Sequence, residues 1–274
     1  MIDIDSLFKN ALLKKLRDGE NPKKIEEDMP DLLLEWLDTP NAATNGVSPN
    51  EYFYSMDSAQ LADALCGYVL SGITPPDPLL NALEDSPDSE QPLYEILCGK
   101  RGAFERVEQL LETRRAAAEL LNQKGSTLPV AEYLEIVKHP TENPGLNEAA
   151  AMGLQAMGED VREQLLSALS GASDEAADCL LDLLSGLPKK DGRIYDYLLR
   201  HFRGRYERRA YLASLLARYG DADAIPVLEG ALSSAGYADY IALVEAIESL
   251  GGVVSEQRDF TGDPDYEKLK LKKR

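Results

Sequence analysis

Arginine and tyrosine side chains are concentrated in residues 189–218, which carry nine basic and three acidic residues. Guanidinium groups bind carboxylates in a bidentate manner, and Arg and Tyr are enriched at the energetic centres of protein interfaces. This composition predicts a binding site for an anionic segment of a partner. The candidate binding residues, named here the Arg–Tyr cluster, are Arg200, Arg203, Arg205, Tyr206, Arg208 and Arg209.

A structural interpretation of the same residues is also open at this point. Arginines on stacked helices often pair with carboxylates of the neighbouring helix, and this chain contains 48 acidic residues against 29 basic ones. The resulting net charge of −19 repels phosphate groups and anionic membrane surfaces. We therefore expect a protein partner, and neither nucleic acid nor a membrane.

Residue types that carry catalysis or bind metals are scattered. His139 and His201 are the only histidines, and neither has a second ligand at the spacing of a metal site. No glycine-rich phosphate loop and no nucleophile elbow occurs in the sequence. Cys66, Cys98 and Cys179 lie far apart in apolar surroundings, which favours reduced core thiols in a cytoplasmic protein. We expect no catalytic activity, no metal and no cofactor.

The elements that would position the Arg–Tyr cluster are paired helices that recur about every 30 residues. Leucines occupy equivalent positions in the first helix of each pair: Leu134, Leu165, Leu198 and Leu228. Such self-similarity indicates helix pairs that bury their apolar faces only by stacking on their neighbours. No alternating pattern typical of a strand competes with it, so the chain is predicted to be all-α.

The last pairs resemble a known repeat family. Tyr219-Gly220-Asp221, followed by Ile225-Pro226 and Leu228, resembles a HEAT-type repeat of the short bacterial kind, and the resemblance extends over residues 127–251. It implies a right-handed α-solenoid of antiparallel helix pairs, a HEAT/armadillo-like superhelix that binds proteins. Some HEAT-like proteins are nucleic-acid enzymes, which leaves an enzyme as the alternative.

A second resemblance lies near the N-terminus. Trp36-Leu37, Thr39-Pro40-Asn41, Gly46 and Ser48-Pro49 resemble the toxin-binding domain of certain bacterial antitoxins, over residues 36–72. This implies a partner site at Trp36, Asn41 and Gly46. The simpler interpretation is that the tryptophan anchors a Pro/Asn/Gly loop onto a helix pair.

Local signals predict where helices begin and end. Ser48 and Glu51 form a capping box that predicts a helix from Pro49. Asn21-Pro22 is predicted to end the first helix, with the second starting at residue 31.

We predict an N-terminal helical region over residues 1–100, a repeat domain over 101–258 and a basic tail over 259–274.

Overall fold

The structure, a computed structural model, describes residues 2–255 and 258–272, with side chains as far as Lys268 in the last helix. All regular elements in these ranges are helical, which confirms the all-α prediction. The chain forms two compact units, residues 1–156 and 157–274, and each is described by itself. The predicted boundaries at residues 100 and 258 stay predictions.

Unit 1 is built from short helices joined by capped turns. They are α1 (Ile4–Arg17), α2 (Pro22–Glu27), α3 (Met29–Leu37), α4 (Pro49–Tyr54), α5 (Ser58–Leu70), α6 (Asp77–Asp85), α7 (Glu90–Leu97), α8 (Val107–Gln123), α9 (Val130–Lys138) and α10 (Pro144–Met157). Helices α5, α6 and α7 all pack against α8, which makes α8 the centre of this unit.

The helix starts of unit 1 confirm one local prediction and correct another. The Ser48 hydroxyl accepts from the Glu51 amide at 3.2 Å, and the Glu51 carboxylate accepts from the Ser48 amide at 3.2 Å. The prediction that the second helix starts at residue 31 is wrong, because α2 begins at Pro22 with Asn21 as its cap, and the helix that contains residue 31 is the third. Proline lacks the amide that the first helical position leaves unpaired anyway, so it starts a helix as readily as it ends one.

A buried polar network ties α8, α9 and α10 together. Tyr133 is fully buried, and its hydroxyl lies 2.8 Å from Asn122 Oδ1 and 3.0 Å from the carbonyl oxygen of Ala118. The Asn122 amide donates to the carbonyl oxygen of Ala149 at 2.8 Å. Because every polar atom named here has a partner, the network stabilises the packing of the three helices rather than weakening it.

The Tyr133 and Asn122 side chains pack directly against Gly153, where there is no space for a larger residue. Replacing Gly153 therefore tests the packing. A Cβ at Gly153 would collide with the Tyr133 ring and with Asn122 Oδ1. We expect Gly153→Ala to lower the free energy of unfolding by about 1–3 kcal/mol, the usual cost of overpacking. Urea denaturation followed by circular dichroism measures it.

Gly230→Ala is the matched control, since Gly230 is also inside a helix but has nothing within 4 Å of the added Cβ. It should be neutral or stabilising by up to about 1 kcal/mol, because alanine favours the helix over glycine. Equal losses of stability in both variants would contradict the assigned packing around Tyr133.

Unit 2 consists of helix pairs followed by a C-terminal helix. Its helices are α11 (Arg162–Ala168), α12 (Asp174–Ser185), α13 (Gly192–Gly204), α14 (Arg209–Tyr219), α15 (Ile225–Leu232), α16 (Tyr237–Ser249) and α17 (Pro264–Lys272). The second helices pack in succession, α12 against α14 and α14 against α16. Helices α11, α13 and α15 each pack against the helix that follows them.

The aligned leucines of the predicted first helices mostly lie in the core. Leu165, Leu198 and Leu228 are at most 1% exposed, on α11, α13 and α15. Leu134 differs: it is half-buried in unit 1, and the neighbouring Tyr133 occupies the core instead. The leucine alignment therefore identifies core positions correctly in unit 2. In α9 the core position is one residue earlier, at Tyr133.

Gly220 and Asp221, which carry part of the resemblance to the repeat family, lie at the end of one helix and the start of the next. Gly220 ends α14 with a φ of 75°, a conformation in which glycine carries no steric penalty. The Asp221 side chain accepts from the Asp223 amide at 3.0 Å and so caps the short 3-10 turn that leads into α15. Pro226 lies in the first turn of α15, where its missing amide costs no hydrogen bond.

The predicted tail over residues 259–274 is packed along its described part. Phe260 is 9% exposed and lies against the rings of Tyr237 and Tyr266, with centroids 5.3 and 6.3 Å away. Asp263 accepts from the Tyr237 amide at 3.0 Å, at the start of α16. The side chains of the basic run after Lys268 lie outside the described residues.

Candidate functional site

The Arg–Tyr cluster lies at the end of α13, in the 3-10 turn Tyr206–Arg208 and at the start of α14. All six residues belong to unit 2, in the segment that packs against α12. Their contacts divide them into three groups: two arginines held by a buried carboxylate, a stacked Arg–Tyr pair and two exposed arginines. Only some members therefore remain available to a partner.

The first group is held by Asp178 of α12, whose residue surface is 7% exposed. Arg205 Nη1 donates to Asp178 Oδ1 at 2.6 Å, and Arg208 Nε donates to Oδ2 at 2.9 Å. A carboxylate removed from water is stable only when it is paired and hydrogen-bonded. Arg205 and Arg208 therefore have the structural role. Their ion pairs with Asp178 join the α13–α14 turn to α12.

Two further arginines of the basic segment make ion pairs of the same kind. Arg218 Nη2 donates to Asp182 Oδ1 at 2.8 Å. Arg193 Nη1 and Nη2 donate to the Glu163 carboxylate at 3.0 and 2.6 Å. Each pair joins a helix to the preceding helix pair. Hydrogen bonds from Arg193 also lower the pKa of Asp191 to about 2.

The second group is a stacked pair that closes onto the turn before α16. The Arg209 guanidinium carbon lies 4.0 Å from the centroid of the Tyr206 ring. Arg209 Nη1 donates to Ser234 Oγ at 3.2 Å, and the Tyr206 hydroxyl donates to the Ser234 carbonyl oxygen at 2.5 Å. Tyr206 keeps 49% of its surface exposed. The pair is thus held in place while its outer face remains accessible.

The third group, Arg200 and Arg203, is exposed on α13 and three residues apart, which places both side chains on one helix face. The Arg200 guanidinium lies 5.2 Å from the centroid of the Tyr197 ring. Among the residues that the structure describes, neither arginine has a carboxylate within ion-pair distance. These two charges are therefore available to an anionic partner.

His201 lies between the exposed arginines and is half-buried. Burial, and next the charge of Arg205, lower its pKa, so the imidazole is neutral at pH 7 and adds no charge to the surface. Across the described ranges, no group of three or more His, Cys, Asp or Glu side chains has the arrangement of a metal site. The surface offers guanidinium and phenol groups, which bind anions.

The sequence did not single out Asp178 and Asp182, whose ion pairs occupy Arg205, Arg208 and Arg218. The Tyr211 hydroxyl donates to the carbonyl oxygen of Asp178 at 3.2 Å, and Arg208 lies 4.8 Å over the Tyr211 ring. One signal was available: the acids of α12 precede their arginine partners by about one repeat length.

The second predicted site lies in unit 1, where its residues hold a loop together. Asn41 Oδ1 accepts from the Ala43 amide at 2.9 Å, and the Gly46 amide donates to the Asn41 carbonyl oxygen at 2.9 Å. Gly46 has a φ of 85°, which the tight turn requires. Trp36 packs on Phe8, with ring centroids 5.4 Å apart. Each residue thus has a structural role that accounts for its type.

No protein-family model matches the chain, and a search among curated proteins finds no match. Within the described helices, none combines the length and apolar character needed to cross a membrane. Inference about function therefore rests on the residues of the Arg–Tyr cluster and their geometry.

Asp178 can be tested by removing its charge alone. We expect Asp178→Asn to lower the free energy of unfolding by about 3 kcal/mol, because two guanidinium groups lose their buried counter-charge. Asp182→Asn is the matched control: both side chains of the Asp182–Arg218 pair are more than 40% exposed, and such pairs contribute about 1 kcal/mol or less. Urea denaturation measures both, and equal effects would show that burial of Asp178 does not matter.

Proposed function

We propose that this protein is a non-catalytic interaction protein that binds an acidic segment of a protein partner through α13 and the turn that follows it. The observation that carries the proposal is the pair Arg200 and Arg203. Both are exposed, and neither has a carboxylate partner among the described residues, in a chain of net charge −19. In a protein so rich in acids, arginines that stay unpaired serve an anion from outside.

The neighbouring aromatic groups support recognition of a polypeptide rather than a bare ion. Tyr197 and Tyr206 lie beside the guanidinium groups of Arg200 and Arg209. Arginine and tyrosine supply much of the binding energy at protein interfaces, because they combine apolar area with directed hydrogen bonds. The contacts to Ser234 order the Arg209–Tyr206 pair in advance, so less entropy is lost on binding.

We further propose that unit 2 is a right-handed α-solenoid of the HEAT/armadillo type. The succession α12, α14 and α16 supports this, as do ion pairs that join residues about 30 positions apart. In a stack of helix pairs, side chains from successive repeats form one continuous surface. Such a surface would present the Arg–Tyr cluster beside the residues of neighbouring repeats.

The alternatives have less support. A HEAT-like nucleic-acid enzyme would need to attract phosphate groups, which a net charge of −19 opposes. Partner binding through residues 36–72 remains a prediction, since Trp36, Asn41 and Gly46 have structural roles in their loop. Cytoplasmic localisation also stays a prediction.

The binding proposal is tested with the purified full chain and labelled peptides in fluorescence anisotropy. A peptide of alternating glutamate and serine should bind, and the same peptide with lysine in place of glutamate should not. Arg200→Gln/Arg203→Gln should weaken binding about tenfold or more, because charge-assisted hydrogen bonds to two guanidinium groups are lost. Added salt should weaken binding further.

The matched control is Lys100→Gln/Arg106→Gln, which removes two exposed positive charges from unit 1. It should bind the acidic peptide like the unaltered protein. If both double variants lose affinity equally, the effect is one of net charge and the proposed site is wrong. Tighter binding of a DNA duplex than of the acidic peptide would replace a protein partner with a nucleic acid.

A further inference from the structure

A second surface, in unit 1, leaves apolar side chains uncovered between α1 and α2. It is a groove of about 370 Å³, within the roughly 300–1,000 Å³ typical of ligand pockets. We name it the α1–α2 groove, and its walls are Lys9, Leu12, Leu13, Leu16, Pro22, Ile25, Glu26 and Met29. Leu13, Leu16 and Met29 keep 42%, 38% and 38% of their surface exposed.

The exposure of these side chains is a property of the whole N-terminal region. Helix α1 buries only Ile4, and no residue of α3 is buried, although both helices are rich in leucine. Large apolar side chains grouped along a groove mark interaction sites more often than scattered ones do. On α1, the residues of the wall recur three and four positions apart, which aligns them along one helix face.

Charge around the groove has the opposite sign to that of the protein as a whole. Residues 9–29, which span the walls of the groove, contain six basic and five acidic residues, a net charge of +1 in a chain of −19. Lys15 is paired with Glu20 at 3.2 Å, and no other ion pair involves a basic residue of this described segment. Lys9 lies in the wall itself, while Glu26 lies on the α2 side.

We propose that the α1–α2 groove binds an acidic amphipathic helix of a partner protein. A concave apolar groove between two helices accepts the apolar stripe of a third helix, in the way known for helix-in-groove recognition. The lysines and Arg17 around it complement carboxylates on the flanks of that helix.

This surface is independent of the Arg–Tyr cluster, because the two lie in different compact units and bind by different means. The α1–α2 groove needs apolar residues in its ligand, whereas the exposed arginines need only anions. Arg200→Gln/Arg203→Gln should therefore leave binding at the groove unchanged, and either proposal can fail alone.

The test uses the full chain and two labelled helical peptides with leucines three and four positions apart. One peptide carries glutamate at the remaining positions and the other carries lysine. The glutamate peptide should bind, and Leu13→Glu should weaken its binding about tenfold or more, since a leucine that the bound helix would cover is replaced by a charge. Lys9→Glu should also weaken binding through like-charge repulsion, and it changes an exposed residue that the fold does not bury.

Two controls make the same chemical changes at other exposed positions. Leu34→Glu alters a leucine that is 63% exposed on α3 and does not line the groove. Lys100→Glu makes the same charge change as Lys9→Glu at an exposed position after α7. Both should bind the glutamate peptide like the unaltered protein, and circular dichroism should show unchanged helix content.

Three results would overturn the proposal. The first is equal binding of the lysine and glutamate peptides, or equal effects of the Leu13 and Leu34 variants. The second is a dimer, seen by light scattering, that Leu13→Glu dissociates, because the occupant would then be a second copy. The third is tighter binding to vesicles of anionic phospholipid than to the glutamate peptide, which would make the groove a lipid-binding surface.

Discussion

The buried carboxylate of Asp178 is the interaction on which the rest of unit 2 depends. It accepts from Arg205 and Arg208 at once, and it thereby holds the turn between α13 and α14 against α12. Removing a carboxylate from water is unfavourable unless its charge is met, so this position requires at least one guanidinium group nearby. The surface that we propose for partner binding is what remains of the basic segment after that requirement is satisfied.

Burial also ranks the ion pairs that join successive helix pairs. Asp178 and Arg205 have side chains 10% and 14% exposed, whereas Arg193 and Glu163 are 54% and 69% exposed. Exposed pairs are screened by water and salt and contribute little to stability. In both pairs an acid is joined to an arginine about one repeat length later in the sequence. The buried Asp178 pair nevertheless contributes more to stability than the exposed Glu163 pair.

Features controlled by neighbouring residues were predictable from the sequence. The Ser48 cap and the glycine end at Gly220 depend on residues within a few positions of one another. What could not be predicted depends on distant packing. Pro22 can start or end a helix, and the choice among acids for Arg205 is made by the placement of α12. For the same reason, sequence alone left open which arginines of the cluster would stay exposed.

Asp263 has a consequence for the end of unit 2. Its carboxylate accepts from the first amide of α16 and from the amide of Asp265 in α17, so one side chain starts two helices. The segment that it anchors lays Phe260 across the aromatic side chains of α16. An open end of packed helices would expose apolar surface on which further copies could add. At this end of unit 2 the chain covers such surface with its own residues, because Phe260 packs on Tyr237 and Tyr240 of α16.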